Sequence, residues 1–484
     1  MAGFDNPVRA TYTIVRELVE NALDACETHG ILPDVHVRLQ SEGRSNVYRI
    51  RVEDNGCGVP KEYIASAFGR VLFGSKYILR QTRGTFGLGG KMAILYGQIT
   101  THSPVKILTS TGGPTKYFCE LMIDIQHNKP ILRRGGIKVL PNPTYWHGTV
   151  IEFTFEGDYS RAKPRILEYF RQTAIILPYA NISFIDPDGV LYKFERVTTE
   201  MPKPPQEVRP HPHGVDVELL KRLIRRTRAK TLVEFISNNF HRVGRRTALK
   251  FLRFARMDPY KDPRSLKPDE IVRIVSAMRK FNDFLPPDAS CLSPIGPKLL
   301  EKGIMKELQP EFVVAVQRKP SAYAGHPFIV EAAIAYGSNI SSPKSGEINL
   351  YRYANKIPLL YDAHSDVAMK VIKSIKWSRY KIDLSMPIAF FVHIVSTKVP
   401  YKTVGKEFIA DRPEIAYEIE WALKTCARKL RTYLTKKERK AAIRRKINIL
   451  ERYLPKLAEF ATELAGKPQP PDVSRLFRGW RRSE

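Results

Sequence analysis

At roughly 150 residues per domain, a chain of 484 residues has room for about three domains. Its composition, 43% hydrophobic and 26% charged, excludes general disorder and predicts folded cores. The 79 Lys+Arg against 49 Asp+Glu leave a net charge of +30, which favours a polyanionic partner, nucleic acid ahead of an anionic membrane surface. Cys26, Cys57, Cys119, Cys291 and Cys426 are scattered with no CxxC pair, a poor disulfide framework and a poor zinc site that suits a reducing compartment. Met1 to Asp5 lacks the basic and apolar regions of a signal peptide, and the longest apolar run, Met386 to Val395, is too short for a membrane span. A cytoplasmic protein with no membrane partner is expected.

Taken in chain order, apolar spacing predicts a helix over Ala10–Cys26, and alternation predicts strands over Val35–Leu39, Val47–Val52 and Thr149–Phe155. Met201 to His213, with five prolines, reads as a stiff extended connector. Helical spacing then runs from Gly214 to about Ile304. This region is strongly basic, with 12 Lys+Arg against 2 Asp+Glu between residues 221 and 260. Strand-like runs return at Phe312–Val316, Phe328–Ala335 and Ile388–Val395, before a helical stretch over Pro413–Tyr453 and a Pro- and Arg-rich tail from Gly466.

Three segments carry candidate chemistry. In the first helix Glu17, Asn21 and Asp24 stand at i, i+4 and i+7, a polar stripe that faces water or lines a site. A carboxylate one turn from an amide oxygen can orient a water while the amide holds a hard cation. The second segment, Glu53 to Val59, ends a strand in Asp54-Asn55-Gly56-Cys57-Gly58, a turn open to close backbone approach, where Asp54 can accept from an amino group such as that of adenine. The third, Arg83 to Ala93, places four glycines in seven positions ahead of a helical run, so its amides can surround a phosphate, with Lys91 as a point charge. Met92 after Lys91 rejects a Walker A loop, and there is no GxGxxG. Each segment alone is equally a solvated helix face or an unliganded turn.

Their order and spacing together resemble the N, G1 and G2 boxes of the GHKL ATPases, the group of gyrase B, the Hsp90 chaperones, MutL and histidine kinases. His147-Gly148-Thr149 resembles the last box of that set. The flanks are similar to the archaeal topoisomerase VI B subunit. They include Val15-Arg16-Glu17-Leu18-Val19-Glu20-Asn21, Ala67 to Leu72, Ser75-Lys76-Tyr77 and Arg80 to Gly84. They continue with Pro204 to Asp216, Gly325 to Glu331, Arg352 to Pro358 and Ser396 to Glu407. The likeness runs from about residue 2 to 465.

The resemblance implies an α+β multidomain chain. A GHKL (Bergerat) α/β sandwich ATPase domain with its connector would occupy 1–213. A small, basic helix-two-turns-helix domain would occupy 214–304, a second α/β transducer domain ending in a long helix 305–465, and a basic tail 466–484. It implies ATP and Mg²⁺ as cofactors, with Glu17 the general base and Asn21 the Mg²⁺ ligand. Asp54 would read the adenine amino group, with Gly56, Gly58 and Thr149 among the other ATP-binding residues. Ser75 and Lys76 would lie in the nucleotide lid, and Gly84, Thr85, Phe86, Gly87, Leu88, Gly89, Gly90 and Lys91 would wrap the phosphates. Lys406 would reach the γ-phosphate from the second α/β domain; Lys398 and Lys402 lie nearby, and the match to the family's Gly-Lys-Glu favours Lys406. Arg225, Arg226, Arg228, Arg242, Arg245 and Arg246 are candidate DNA phosphate contacts, or else a solvated basic face.

Three features depart from the family, one of them Gly90, which stands where a relative carries Val, a change that loosens the loop slightly without removing its amides. Trp377-Ser378-Arg379-Tyr380 stands where members carry Trp-Lys-x-Tyr, so Trp377 reads as a packing residue. Members also carry, upstream of the stretch matched by Ala2-Gly3-Phe4, a segment that helps dimerise the ATPase domains.

The function implied is the ATPase subunit of a type IIB DNA topoisomerase. ATP-driven self-association would close a clamp on double-stranded DNA, and a separate A subunit in an A2B2 heterotetramer would cleave it, relaxing and decatenating DNA on the nucleoid. The alternatives are a MutL-like ATP-dependent clamp without strand passage, and a DNA-binding scaffold that does not hydrolyse ATP.

Overall fold

The computed structural model describes residues 3–473, apart from 44–45, 72–78, 85–87, 134, 345 and 403–404. Helix α1 (Pro7–Glu27) begins where its capping chemistry dictates. The Asn6 side chain accepts from the Arg9 amide, and Pro7 stands in the first turn, where a missing N–H is not needed. That is why the helix starts three residues before the apolar spacing does.

Nine strands follow among the described residues: β1 (Asp34–Ser41), β2 (Val47–Asp54), β3 (Val105–Thr111), β4 (Thr115–Asp124), β5 (Lys129–Leu132), β6 (Lys138–Pro141), β7 (His147–Glu156), β8 (Asn181–Ile185) and β9 (Leu191–Phe194). They form one sheet in the order β5-β4-β3-β7-β2-β1-β8-β9, with β6 also on β4. β1 and β8 run parallel, and the other pairs are antiparallel. The alternating strands turn one set of side chains onto α1, α3 (Gly89–Thr101) and α4 (Tyr159–Ile176), joining Leu18, Leu23, Val35, Val52, Phe153 and Phe170 in one core. Helix α2 (Lys61–Gly69) packs against β4 and β5.

The basic helical stretch packs as two units rather than one. Helices α5 (Val217–Arg226), α6 (Leu232–Asn239), α7 (Arg245–Phe254) and α8 (Pro268–Lys280) close around Leu220, Phe235, Phe251 and Met278. Helix α9 (Pro297–Leu308) leaves that core and buries Leu300 and Ile304 with the residues of α4. Local periodicity is the same in both, so only the partner surface separates them.

The second sheet orders β10 (Phe312–Gln317), β12 (His326–Tyr336), β15 (Ile388–Ser396), β13 (Leu350–Ala354) and β14 (Ile357–Pro358), with β11 (Ser321–Tyr323) on β12. The mostly apolar runs of β12 and β15 arise because both faces are covered, and two polar side chains buried among them, Glu331 and His393, are partnered with each other at 2.8 Å. Phe328, Val330, Ala332 and Ile334 pack with α10 (Val367–Ser374) and α11 (Pro413–Leu464), while Ala333 and Ala335 join the core shared with the first sheet. Trp377 is buried, its ring against Phe390 and its indole N–H donated to the Ile372 carbonyl at 2.8 Å. The 52-residue α11 buries its first half and carries its basic stretch from Lys436 to Lys446 exposed. No helix among the described residues is long and apolar enough to cross a membrane.

The α4–α9 contact depends on a missing side chain: a Cβ at Gly303 would lie 1.8 Å from the Ile175 carbonyl oxygen. Gly to Ala inside a helix ordinarily stabilises by up to about 1 kcal/mol. Here Gly303→Ala is expected to destabilise by about 1–3 kcal/mol, because the helices must move apart. Chemical denaturation of the two chains checks the sign.

Candidate active site

The polar stripe of α1 faces the amino end of α3. Glu17 and Asn21 approach that end so closely that a Cβ at Gly89 would lie 1.5 Å from Glu17 Oε2, and one at Gly90 2.5 Å from Asn21 Nδ2. A side chain at either glycine would therefore displace the tip of Glu17 or Asn21 from this end of α3. The first turn of a helix presents amides without intrahelical partners and the positive end of its dipole, so this cradle suits an anion. Gly84, Leu88, Gly89, Gly90 and the buried Lys91 line the same approach in sequence. Ser75 and Lys76, and Thr85, Phe86 and Gly87, lie outside the described residues.

Asp54 closes β2, 6% exposed. Its Oδ1 accepts from the amides of Gly56 at 2.8 Å and Thr149 at 3.2 Å, which fixes the carboxyl plane. The turn beyond it is pressed on β3: a Cβ at Gly58, where φ is +69°, would meet the Ser110 carbonyl oxygen at 1.9 Å. Thr149 and Thr109 share a hydroxyl contact of 3.1 Å beneath. Burial pushes Asp54 up to about 7, against the pull of those two amides. This carboxyl is thus held in a place that disfavours its charge.

The second sheet's domain enters the site through the loop before α11. Lys406, in the left-handed region at φ +55°, donates to the Arg83 carbonyl at 2.9 Å and lies 3.7 Å from Glu20 Oε2. Gly405 offers its carbonyl to Arg16 at 3.4 Å, and Glu407 pairs with Arg9. Lys398 and Lys402 are exposed. Of the three lysines, Lys406 is therefore the one that reaches α1 and the glycine loop.

Around this contact lie residues that sequence reasoning passed over. Arg16 donates to Glu17 Oε1 at 2.6 Å. Arg83, at the start of the glycine loop, pairs with Asp24 at 2.9 Å and Glu27 at 3.0 Å. Lys356, from the β13–β14 turn, reaches Glu27 at 3.4 Å and the Tyr179 hydroxyl at 3.3 Å. Burial alone would raise Glu27, but Arg83 and Lys356 outweigh it and hold the carboxyl down at about 2. Asn355 donates to the Thr82 carbonyl at 3.1 Å and fixes the same stretch. A signal existed for some of these: Arg9, Arg16 and Glu20 stand at i, i+7 and i+11 and share a face of α1. Nothing in the sequence paired that face with Lys356 or Lys406.

The six basic-module arginines are all exposed. Arg225 and Arg226 end α5, Arg228 follows it, and Arg245 and Arg246 open α7. Arg242, at φ +58°, donates to the Pro286 carbonyl at 2.9 Å.

A glycine loop at a helix amino end, faced by a glutamate and an asparagine from one helix over a largely antiparallel sheet, defines a nucleotide-binding ATPase domain. Residues 6–125 match the family model of the histidine kinase-, DNA gyrase B- and HSP90-like ATPases, and residues 287–446 match that of the topoisomerase VI B subunit transducer. A Metallosphaera sedula protein, named as the B subunit of type 2 DNA topoisomerase 6, is 46% identical over 463 residues, covering 95% of this chain and 86% of its own length. Its namesake from Sulfurisphaera tokodaii is 44% identical with the same coverage. The solved B subunit of the DNA gyrase from Myxococcus xanthus aligns over 87% of this chain and 89% of its own, at 12% identity and a TM-score of 0.40. The chain belongs to the topoisomerase VI B-subunit family, the ATPase subunit of a type II DNA topoisomerase.

The raised Asp54 carboxyl has a stability consequence. Its folded value lies above the unfolded one, so the folded chain binds the extra proton between about pH 4 and 7, and stability falls as pH rises through that window. Asp54→Asn keeps an oxygen for the two amides and removes the charge. The nucleotide-free variant is expected to unfold at a higher temperature than the parent at pH 8, with the difference shrinking towards pH 4 in thermal melts.

Proposed function

We propose that the chain binds and hydrolyses ATP between α1 and the amino end of α3, and that the second domain senses the nucleotide's terminal phosphate through Lys406. The observation that carries this reading is the position of the Lys406 ammonium, lodged between Arg83 of the glycine loop and the helix bearing Glu17. On this reading Glu17 takes a proton from the attacking water. Asp54 accepts from the adenine amino group with the oxygen its two amides leave available, and Gly84 to Lys91 enclose the phosphates. The site offers Asn21 as a single neutral oxygen ligand beside a phosphate cradle, a donor set that suits Mg²⁺, which keeps waters and phosphate oxygens as its other ligands. Bound there, the ion would neutralise phosphate charge, with Asn21 the residue of this chain that would hold it and Glu17 the base.

The partners are, on the same reading, a DNA-cleaving A subunit in an A2B2 assembly, a second copy of this chain brought together by ATP, and duplex DNA. The net charge of +30 supports the DNA partner. So does the placement of Arg245 and Arg246 in the first turn of α7, against the preference of a helix amino end for anions. That arrangement is unfavourable in the free helix and becomes favourable when a phosphate sits there.

Glu17→Ala is expected to abolish ATP turnover while ATP is still bound, in steady-state hydrolysis with the A subunit and duplex DNA present. Turnover at the parent rate would remove Glu17 from its role, and no turnover by the parent chain under those conditions would overturn the ATPase reading. Reversing the charges of Arg245 and Arg246 together is expected to weaken duplex binding and flatten its salt dependence by about 0.9 in log–log slope for each phosphate no longer neutralised. An unchanged slope would return them to a solvated face.

A further inference from the structure

Glu20 is 3% exposed, and among the described residues neither of its carboxyl oxygens has a hydrogen bond. A buried carboxylate in that condition is costly unless opposite charge compensates it. Its compensation is two ion pairs longer than hydrogen bonds, Arg16 Nε at 3.4 Å and Lys406 Nζ at 3.7 Å. Arg16 is already committed to Glu17 at 2.6 Å. Of the two cations paired with Glu20, Arg16 lies on the same helix and Lys406 comes from the other domain. Lys406 is thus the member of this pair that domain movement can withdraw.

We propose that Glu20 is a positioning residue, the resting counter-ion that holds Lys406 against α1 until the terminal phosphate of a nucleoside triphosphate competes for the ammonium. This rests on the reading that Lys406 meets that phosphate. When Lys406 leaves, the buried Glu20 carboxylate loses one of its two ion pairs among the described residues and keeps the longer-than-hydrogen-bond contact with Arg16, a side chain already bonded to Glu17. The γ-phosphate must supply enough attraction to offset that loss, and a diphosphate lacks the group that does so. Glu20 thereby sets a threshold: the second domain's lysine responds to the triphosphate and stays parked in its absence.

The test measures the affinities of the full chain for a non-hydrolysable ATP analogue and for ADP, by calorimetry at one chain concentration. Glu20→Gln removes the competitor for Lys406 and is expected to raise the preference for the triphosphate by about five-fold or more, the lower end of ordinary coupling effects. Glu20→Met, uncharged and of similar length, is expected to do the same, and thermal melts identify any variant that has lost its fold. Lys406→Met is expected to lower the triphosphate preference, and adding Glu20→Gln to it should change nothing further. An unchanged or reduced preference in folded Glu20 variants overturns the proposal. So does a gain that persists in the Lys406→Met background, which would be general electrostatic relief rather than release of the lysine. A parent-like preference in Lys406→Met would instead refute the underlying contact between Lys406 and the phosphate, and the proposal with it.

Discussion

The interaction on which the rest of the structure depends is the burial of charged side chains of the second domain against α1. Lys406 and Lys356 come from different loops of the same sheet domain and meet carboxylates two turns apart on the helix, Glu20 and Glu27, with Glu17 and Asp24 beside them. Removing a charge from water is expensive, and leaving its partner unpaired is worse. Neither domain can therefore leave the other without exposing or stranding charge.

The glycine loop sits at the centre of that arrangement. Arg83 starts it and is fixed on three sides: its guanidinium by Asp24 and Glu27, its carbonyl by Lys406, and its neighbour Thr82 by Asn355. At the other end of the loop Gly89 and Gly90 let the backbone approach Glu17 and Asn21 so closely that a Cβ would push those side chains aside. Anything that repositions the loop around a phosphate must therefore shift contacts that belong to the second domain.

The apolar core couples the same two parts. Helices α4 and α9 lie between the two sheets, and Ala333 and Ala335 of β12 share a cluster with Phe170 and Leu300. The basic module of α5 to α8 keeps a separate core. A module whose apolar contacts are its own can carry exposed arginines towards a polyanion without disturbing the shared core that couples nucleotide site and second sheet.

Much of this was legible in the sequence because it depends on local rules. The period of α1, the alternation of β1, β2 and β7, and the mostly apolar runs of β12 and β15 follow from which faces must be covered. The glycine spacing from Gly84 to Gly90 and the Asp54 turn follow from backbone geometry. The sequence placed Glu17 and Asn21 on one face of one helix, since a helix repeats every few residues. It could not separate α9 from α5 to α8, because the same apolar spacing serves either partner. It could not choose Lys406 over Lys398 and Lys402 by chemistry, or find Glu20, Arg83 and Lys356, because an ion pair between residues hundreds of positions apart leaves no local pattern. Those pairings were decided by the tertiary structure alone: only the packing of one sheet's loops onto the other domain's helix brings the charges within a few ångströms and takes the water away.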